Sequence, residues 1–586
     1  MTAVNPHGSV RWEPPSTPIS RGRWIITARP DVMIRVKRVF PRARPQVTGA
    51  VSMLDSAEVA RDIEWLLERH PLSMDVATMA RLRERAGEHR DAQDKVALLL
   101  AGGALDITEE RAPAVTPRDY QRVAADVVTT MKRLLITDQI GLGKTFEGLL
   151  TFRNAGSLPA AVVVPTNLPR QWVRQVGRMW PGLRCYVPTK GVPGREFERW
   201  CVESGGPPDV YVLPYSKITG WQHHLQPVIR SVVFDEVQSL RNGTSTDKGR
   251  AAANLSRESE YVVGLTATPV YNYGGDLHSI LSIINPDALG SREEFLREWG
   301  QREQVGPGGR RQVVVDNPAA LSVSLREAGV MLGRTRAEVG RELPYGEAEK
   351  VPVTVETDPE VLDRLTGDAV ELARLILSRE ADRQKRWHAA GELDKRMRQA
   401  TGIAKAPYVA AFTSSLVTSE AVSKVVLWGW HRAVYDVWQE RLAADGVRSV
   451  LYTGSESPRQ KQDAVDAFMR PGGPEVLVMS HASGAGVDGL QEVCSVGVMG
   501  ELDWSPKVMD QCVGRLARDG QPAPVLAYYM LAEDGADPAM AQTLDLKNAQ
   551  AAPIEDPGAV VTAALPPPGE RMKALARDLL ARAGRR

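Results

Sequence analysis

The sequence is poor in cysteine, and its cysteines do not stand in pairs. The four that it has, Cys185, Cys201, Cys494 and Cys512, are scattered and form no CxxC motif. We therefore expect reduced, buried thiols rather than a disulfide framework or a structural zinc site. Long apolar runs are also missing: no stretch approaches the length that crosses a bilayer, and no hydrophobic segment follows a basic start at the N-terminus. These absences predict a cytoplasmic protein without a membrane partner.

An excess of charge of one sign is absent as well. Lysine and arginine number 73 against 72 aspartate and glutamate, which gives a formal net charge of +1. This balance excludes a uniformly basic nucleic-acid coat and argues against tight passive binding as the whole function, although a local positive cleft is sufficient to bind DNA. A content of 43% hydrophobic and 25% charged residues is that of an ordinary globular protein. At 586 residues the chain is too long for one core, and we expect three or four units.

Short β-branched runs recur in two sets, with helical stretches between them. The first set comprises residues 161–165, 210–213, 231–234 and 261–265, and the second comprises residues 424–427, 449–452, 476–479, 495–498 and 525–529. Runs that are apolar on both faces and separated by helices are typical of a parallel sheet covered on both sides. We therefore predict an α/β protein with two doubly wound parallel-sheet lobes.

Changes in composition divide the chain further. We predict an N-terminal accessory α+β unit (1–110), a first lobe that binds ATP (111–290), a helical insertion (291–405), a second lobe (406–536) and a tail with a basic helix (537–586). The insertion is assigned because strand signals thin out and charged helical stretches dominate there. Residues 21–44 of the N-terminal unit carry eight basic residues against Asp31. A solvated charged face and a contact with a phosphate backbone both fit this stretch.

Residues 134–145 run from a buried apolar strand into a glycine-rich turn that ends in Lys-Thr. Backbone N–H groups can wrap a polyphosphate in such a turn because Gly141 and Gly143 have no side chain to hold it off. Lys144 adds a charge for the outer phosphates, and the Thr145 hydroxyl is placed to bind Mg²⁺. Asp138 stands where the usual P-loop has its first glycine. An ordinary strand-to-helix turn is the alternative, and a site for ATP with Mg²⁺ is the prediction.

Further polar residues follow two later strands. Asp235 would hold Mg²⁺ and Glu236 would polarise the attacking water, at the carboxyl end of a buried strand. Thr266 and Thr268 come at the end of the next strand, where hydrogen bonds could couple the nucleotide site to the other lobe. The alternative for the two threonines is a polar exit from the strand.

The second lobe contains two arginines, Arg515 and Arg518, three positions apart. On a helix this spacing puts both guanidinium groups on one face, from which they could reach across a cleft to the γ-phosphate. Arginines of this kind are worth about 10³–10⁵ in rate, roughly 4–7 kcal/mol of barrier. A surface basic helix is the alternative, but it leaves Gln511 and residues 520–521 without a role.

Taken in order, these motifs resemble the Swi/Snf branch of the superfamily-two helicase-like ATPases, over roughly residues 112–537. The resemblance implies ATP binding by Tyr120, Gln121, Asp138, Gln139, Ile140, Gly141, Leu142, Gly143, Lys144, Thr145 and Gln511, with Thr145 and Asp235 on the metal. It implies catalysis by Lys144, Asp235, Glu236, Arg515 and Arg518, and coupling through Gln238, Thr266, Thr268, Gly486 and Asp488. It implies DNA contact by Thr166, Asn167, Gln171, Trp172, Ser480 and Trp504. Residues 332–344 are similar to the family's arginine-rich approach to the second lobe.

Within this branch, residues 401–405 and 501–506 are most similar to the HepA-related, annealing-helicase group, in a bacterial or phage form. The family resemblance implies two RecA-like lobes and an ATP-dependent translocase on double-stranded or branched DNA, with DNA-bound proteins as further partners. Three residues depart from the family pattern: Gln238 and Ala517 stand where histidine is usual, and Ala485 where glycine is usual. A strand-separating helicase, or a nucleotide-gated subunit of a defence or replication complex, are the alternative functions. Pathway and oligomeric state stay open.

Overall fold

The structure is a computed structural model. It describes residues 7–15, 22–40, 43–46, 49–154, 156–166, 168–267, 275–286, 288–305, 311–341, 343, 345–367, 369–378, 382–419, 422–482, 487–541, 576–577 and 579–580. Within these residues, no helix is both long and apolar enough to cross a membrane. The predicted basic helix of the tail falls mainly outside the described residues.

The N-terminal unit is α+β, as predicted, and consists of a small antiparallel sheet covered by helices. Its elements are β1 (Gly8–Glu13), β2 (Arg23–Ala28), α1 (Pro30–Val39), β3 (Arg44–Pro45), β4 (Val51–Leu54), α2 (Ala57–Arg69) and α3 (Val76–Leu100), with the sheet order β1-β2-β4-β3. The carboxylate of Asp55, buried next to the sheet, accepts hydrogen bonds from the Trp12 and Trp24 indoles at 3.0 Å each. Arg81 and Arg85 of α3 also donate to it, so one carboxylate ties the sheet to the longest helix of the unit.

The first lobe is built on a seven-stranded parallel sheet with the order β13-β5-β10-β9-β6-β8-β7. Its elements are α4 (Asp119–Met131), β5 (Arg133–Ile136), α5 (Lys144–Leu149), β6 (Ala160–Val164), α6 (Pro169–Met179), β7 (Cys185–Tyr186), α7 (Arg195–Glu203), β8 (Val210–Pro214), α8 (Ile218–Leu225), β9 (Ser231–Asp235), α9 (Asp247–Glu258), β10 (Tyr261–Leu265) and α10 (Gly275–Ile284). Strands β6, β8 and β10 are buried along their whole length, which agrees with the predicted sheet covered on two faces.

The segment predicted as a helical insertion contains strands that the sequence analysis did not predict. Its elements are α11 (Arg292–Trp299), β11 (Gly300–Val305), β12 (Arg311–Val315), α12 (Pro318–Glu327), β13 (Met331–Leu332), β14 (Glu349–Val355), α13 (Pro359–Thr366), α14 (Ala369–Leu377) and α15 (Arg383–Thr418). Strands β11 and β12 form a hairpin, β13 joins the sheet of the first lobe, and β14 joins that of the second. The part before residue 333 packs into the core of the first lobe, and helices α14 and α15 pack into that of the second. The chain therefore passes between the two cores within residues 333–348.

The second lobe has a six-stranded parallel sheet with the order β14-β19-β18-β15-β17-β16. Its further elements are β15 (Val425–Gly429), α16 (Arg432–Ala444), β16 (Ser449–Tyr452), α17 (Pro458–Met469), β17 (Val476–Ser480), β18 (Val496–Met499), α18 (Pro506–Val513) and β19 (Leu526–Ala532). The fold is thus α/β, with two parallel-sheet lobes as the sequence predicted. Because the carboxyl ends of parallel strands lie at one edge of a sheet, the loops that carry the motifs come together there.

Candidate nucleotide-binding site

The glycine-rich turn of residues 137–143, called the phosphate turn below, lies between strand β5 and helix α5, which begins at Lys144. Gly141 and Gly143 have φ angles of 89° and 87°, in the left-handed region that glycine adopts without strain. A Cβ atom would lie 2.0 Å from the Arg336 guanidinium at Gly141, and 2.6 Å from the Gln121 amide at Gly143. Both glycines are therefore required by the backbone conformation and by the close approach of a neighbouring side chain.

The Lys144 ammonium lies over the turn. Its Nζ donates to the carbonyl oxygens of Asp138 at 2.5 Å and Gln139 at 3.3 Å. Burial lowers the pKa of Lys144, and the nearby carboxylates of Asp138 and Glu236 only partly oppose this effect. A phosphate bound at the turn would replace the two carbonyl oxygens as the hydrogen-bond partner of the Lys144 ammonium.

Tyr120 and Gln121, which the family resemblance assigns to ATP binding, lie directly against the turn. The Tyr120 hydroxyl and the Gln121 amide both donate to the carbonyl of Leu142, at 2.7 and 3.0 Å. The carbonyl oxygen of the Gln121 side chain accepts from the Arg118 N–H at 3.1 Å, at the start of α4. The conformation of the phosphate turn is therefore tied to the start of helix α4.

Asp235 ends strand β9 beside the turn. Its carboxylate accepts hydrogen bonds from the Trp172 indole at 2.8 Å and from the Glu236 N–H at 3.0 Å. Burial, together with the neighbouring charge of Glu236, raises the pKa of Asp235 to about 7. A buried carboxylate of this kind is stabilised in its ionised form by a cation.

The donor set at this edge fits Mg²⁺. Thr145 supplies a hydroxyl and Asp235 a carboxylate, and Mg²⁺ prefers few protein oxygens together with waters and phosphate oxygens. No cluster of three or more histidine, cysteine or acidic side chains with metal-binding geometry occurs among the described residues. The arrangement therefore suits a metal that arrives with a nucleotide better than a resident ion with an all-protein cage.

Glu236 has a backbone conformation that is rare outside glycine, with φ of 47° and ψ of 53°. Such strain is found mainly where a side chain must be aimed precisely. The Glu236 carboxylate accepts a hydrogen bond from the Gln238 amide at 2.5 Å. It also faces the amide of Gln511, a residue of the second lobe, at 3.5 Å. Gln238 thus contacts the predicted catalytic carboxylate directly.

One predicted DNA contact is wrong. Trp172 is only 1% exposed, and its indole bonds to Asp235, so the side chain is not available to a nucleic acid. The periodicity of α6 explains this position, because the apolar face that carries Trp172, Val176 and Met179 packs into the core. Gln171, next to it, donates to Asp488 of the second lobe at 3.0 Å and so bridges the lobes.

The two arginines lie after a helix, not on one. Helix α18 ends at Val513, and Arg515 and Arg518 occupy the turns that follow, so the prediction of a shared helix face is wrong. They converge nevertheless, because Asp488 accepts from Arg518 at 2.6 Å and lies 4.0 Å from Arg515. Burial and the neighbouring Arg518 lower the pKa of Arg515, while Asp488 and Glu236 partly restore it.

The lobes meet at the phosphate turn. A Cβ atom on Gly514, just before the arginines, would lie 2.9 Å from the Ile140 side chain of the turn, so the absence of a side chain lets the segments touch. Together with the Gln511–Glu236 and Gln171–Asp488 pairs, this contact places the arginine segment opposite the carboxylates that are predicted to be catalytic. A nucleotide at the turn would therefore lie between the lobes.

A residue that the sequence analysis did not single out organises the turn from behind. Arg334 donates to both oxygens of Asp138, at 3.2 and 2.6 Å, and to Glu147 at 2.7 Å. It also donates to the carbonyl of Tyr120. Asp138 and Glu147 are fully buried, and burial together with Asp138 raises the pKa of Glu147 well above its ordinary range. One guanidinium thus joins both ends of the phosphate turn.

The other predicted residues keep their roles as predictions. Thr266 is buried and its N–H donates to the Ile136 carbonyl at 3.0 Å, next to the start of the turn. Thr166 is exposed after β6, Ser480 is buried at the end of β17, and the Trp504 indole donates to Asp394 at 2.9 Å. The remaining predicted positions, Asn167, Thr268 and Gly486, lie outside the described residues.

Comparison with known proteins gives consistent matches. Residues 61–359 match the model of the SNF2-related domain. The chain is 24% identical over 428 residues to the SWI/SNF-related matrix-associated actin-dependent regulator of chromatin subfamily A-like protein 1 of Bos taurus, covering 71% of the chain and 42% of that relative. It is 23% identical over 455 residues to an ATP-dependent helicase, YqhH, of Bacillus subtilis, covering 71% of the chain and 76% of that relative. It is also 23% identical over 432 residues to the DNA annealing helicase and endonuclease ZRANB3 of Mus musculus, covering 71% and 38%.

The chain spans less than half of the length of the cattle and mouse relatives. The family assignment depends instead on the domain model, which extends over just over half of the 586 residues. The matched region contains the phosphate turn, the Asp235–Glu236 pair and the Arg334 segment that the structure brings together. The chain therefore belongs to the SNF2-related domain family of helicase-like ATPases.

Proposed function

We propose that this chain is a DNA-stimulated ATPase that translocates along double-stranded DNA and remodels DNA or protein–DNA complexes. One observation carries the proposal: the Glu236 carboxylate, which lies near Lys144 and Asp235 on the first lobe, faces the Gln511 amide at 3.5 Å and interacts with Arg515 on the second lobe.

The residues between the lobes have different proposed roles in hydrolysis. The turn from Gly141 to Lys144 would hold the phosphates, and Thr145 and Asp235 would hold Mg²⁺, which would supply positive charge to stabilise the transferred phosphate. Glu236 would orient and polarise the attacking water from its strained backbone position. The arginine pair would neutralise charge that develops on the γ-phosphate, and removal of such a group costs about 10³–10⁵ in rate.

Movement on DNA would follow from the two lobes closing and opening around the nucleotide. Contacts to the phosphate backbone without base readout give weak sequence preference and strong salt dependence. Thr166, which follows β6, and Ser480, which ends β17, are proposed contacts at the carboxyl edges of the two sheets. Asn167 and Trp504 are proposed contacts because the family resemblance implies them. The mouse relative's name, a DNA annealing helicase, supports DNA as the partner class. The cytoplasm is the proposed location.

The N-terminal unit is a second proposed DNA contact. Helix α1 buries Val32 and Val36 against the sheet and exposes Arg35, Lys37 and Arg38. An amphipathic helix with one basic exposed face can track a phosphate backbone without reading bases. We expect that replacing these three residues by neutral ones abolishes salt-sensitive duplex binding and leaves the affinity for ATP unchanged.

The test is ATP turnover measured with duplex, forked and single-stranded DNA side by side. We expect duplex DNA to stimulate turnover severalfold, and Lys144→Ala and Glu236→Gln to abolish it. Glu258→Gln, an exposed glutamate near the end of α9, is the matched control and should turn over like the wild type. Turnover that is indifferent to duplex DNA would refute the translocase proposal.

Two assays separate the alternative functions. A strand-displacement assay on a tailed duplex reports a strand-separating helicase, and displacement of a triplex-forming strand reports movement on intact duplex. ATP-dependent complex formation without triplex displacement would favour a nucleotide-gated subunit. The direct contact of Gln238 with Glu236 is the observation that keeps this alternative in the test, because it engages the carboxylate needed for turnover.

A further inference from the structure

Asp519 of the second lobe gathers three arginines from outside that lobe. Its carboxylate accepts from Arg341 at 2.5 Å and from Arg118 and Arg336 at 3.2 Å each. Arg118 precedes the first-lobe helix α4, and Arg336 and Arg341 lie in the segment that connects the lobes. Asp519 is the residue next to Arg518, and nothing in the proposed chemistry has yet given it a role.

Arg336 extends this cluster to the phosphate turn. Its guanidinium donates to the Ile140 carbonyl at 3.0 Å, and its N–H donates to the Gln139 side chain at 2.8 Å. The Arg336 side chain is only 7% exposed, and it occupies the space that a side chain at Gly141 would need. A continuous path of hydrogen bonds therefore runs from the tip of the turn through Arg336 to Asp519.

The opposite charges of Asp519 and the arginines strengthen this path of hydrogen bonds. Burial alone would raise the pKa of Asp519, but the guanidinium groups of Arg341 and Arg336 outweigh burial and lower it. The carboxylate is therefore ionised at neutral pH and shared among three cations. Hydrogen bonds between guanidinium and carboxylate groups are stronger than neutral ones, so they hold the three arginines to Asp519 more firmly.

Arg518 is consequently held on both sides. Its own guanidinium donates to Asp488, which in turn accepts from Gln171 of the first lobe. Its chain neighbour Asp519 is anchored to Arg118 and to the connecting segment. The position of Arg518 relative to the phosphate turn is set by these two carboxylates and not by helix α18, which has already ended.

We propose that Asp519 is a positioning residue for ATP hydrolysis, which fixes the register between the arginine pair and the phosphate turn through Arg118, Arg336 and Arg341. The inference rests on the proposed function, because it assigns the arginine pair to the transition state. A misplacement of about 1 Å in such a group can cost about 10²-fold in rate. An interaction that acts only in the transition state changes kcat and leaves KM unchanged.

The kinetic test compares Asp519→Ala, Asp519→Glu and the wild type in full-length protein with saturating duplex DNA. We expect Asp519→Ala to lower kcat about tenfold or more with KM for ATP within about twofold. Asp519→Glu should recover most of kcat, because a carboxylate one methylene longer can still reach the guanidiniums. Glu440→Gln, an exposed glutamate on α16 of the same lobe, is the matched control.

A double variant asks whether Asp519 works through the arginine. In an Arg518→Ala background, Asp519→Ala should lower kcat by less than about twofold further, since residues that act as a unit are not additive. Equal losses in both backgrounds would overturn the proposal. An unchanged kcat, or a raised KM at unchanged kcat, in the single variant would overturn it as well.

A second measurement does not depend on turnover. Hydrogen exchange of the nucleotide-free protein should show faster exchange at residues 139–144 and 514–518 in Asp519→Ala than in the wild type, with no change in Glu440→Gln. Identical exchange in Asp519→Ala and the wild type would overturn the positioning role. If the wild type does not hydrolyse ATP, the proposed function fails, while this exchange comparison still decides whether Asp519 holds the turn.

Discussion

The variant Arg334→Ala would leave two buried carboxyl groups without the guanidinium that they share. Asp138 and Glu147 have fully buried side chains, and the Arg334 side chain is 13% exposed. Breaking a buried ion pair by removing one partner costs about 3–5 kcal/mol, because the remaining charge is neither hydrated nor paired. In a unit of roughly 150–250 residues this loss corresponds to a fall in melting temperature of roughly 6–20 °C.

Thermal unfolding of the full chain without nucleotide would measure this loss. The matched control is Arg184→Ala, since Arg184 makes a similar two-pronged pair with Asp209, at 3.1 Å for both contacts, on the same lobe. That pair is more exposed, at 38% and 28%, and we expect its loss to lower the melting temperature far less than the loss of Arg334 does.

Arg334→Lys adds a second comparison, because lysine keeps the charge but cannot reproduce the planar fork. We expect its melting temperature to lie between those of the wild type and Arg334→Ala. Equal shifts for Arg334→Ala and Arg184→Ala would refute the argument, since burial is the property in which the two pairs differ most.

Three further variants test other parts of the structure. Gly141→Ala should weaken nucleotide affinity roughly tenfold or more in a fluorescent-nucleotide titration, because φ is 89° and the methyl group would lie 2.0 Å from Arg336; wild-type affinity would contradict this. Trp172→Phe should lower stability to denaturant by about 1–3 kcal/mol, since Asp235 loses a buried donor; an unshifted midpoint would count against it. Burial and neighbouring guanidiniums lower the pKa of His89 to about 4. The stability of the wild type should therefore fall as the pH drops from about 6.5 towards 4, and it should fall less in His89→Gln. Urea titrations at several pH values measure this difference.

The strands of both lobes could be predicted because a buried parallel strand is a short, continuous apolar run. Strand β14 escaped prediction because it is an edge strand in which half-buried and exposed residues alternate and Pro352 interrupts the pattern. Strand β13 has two residues, too few for any periodicity. The phosphate turn and the Asp235–Glu236 pair could be predicted as a candidate site because the chemistry proposed for them needs residues that are adjacent in sequence.

The contacts that organise the site could not be predicted in the same way. Arg334 and Asp138 are 196 positions apart, and the partner of a long-range ion pair leaves no local signal. The spacing of Arg515 and Arg518 is compatible with a helix, but the helix ends at Val513 and tertiary contacts to Asp488 bring the guanidiniums together instead. Trp172 lies in the core because it belongs to the apolar face of α6, although its motif had indicated DNA contact.

The division of residues 291–405 between the two cores determines where this chain could be severed and still reassembled. A cut at 405 would fall within the 36-residue helix α15 and strip Leu393 and Met397 from the apolar cluster that they share with Trp428. A break inside 333–348 would leave each half with a complete apolar interior. Fragment complementation should therefore succeed there. For a break between residues 333 and 334, the contacts of Arg334 with Asp138 and of Arg336 with Ile140 would join the two halves.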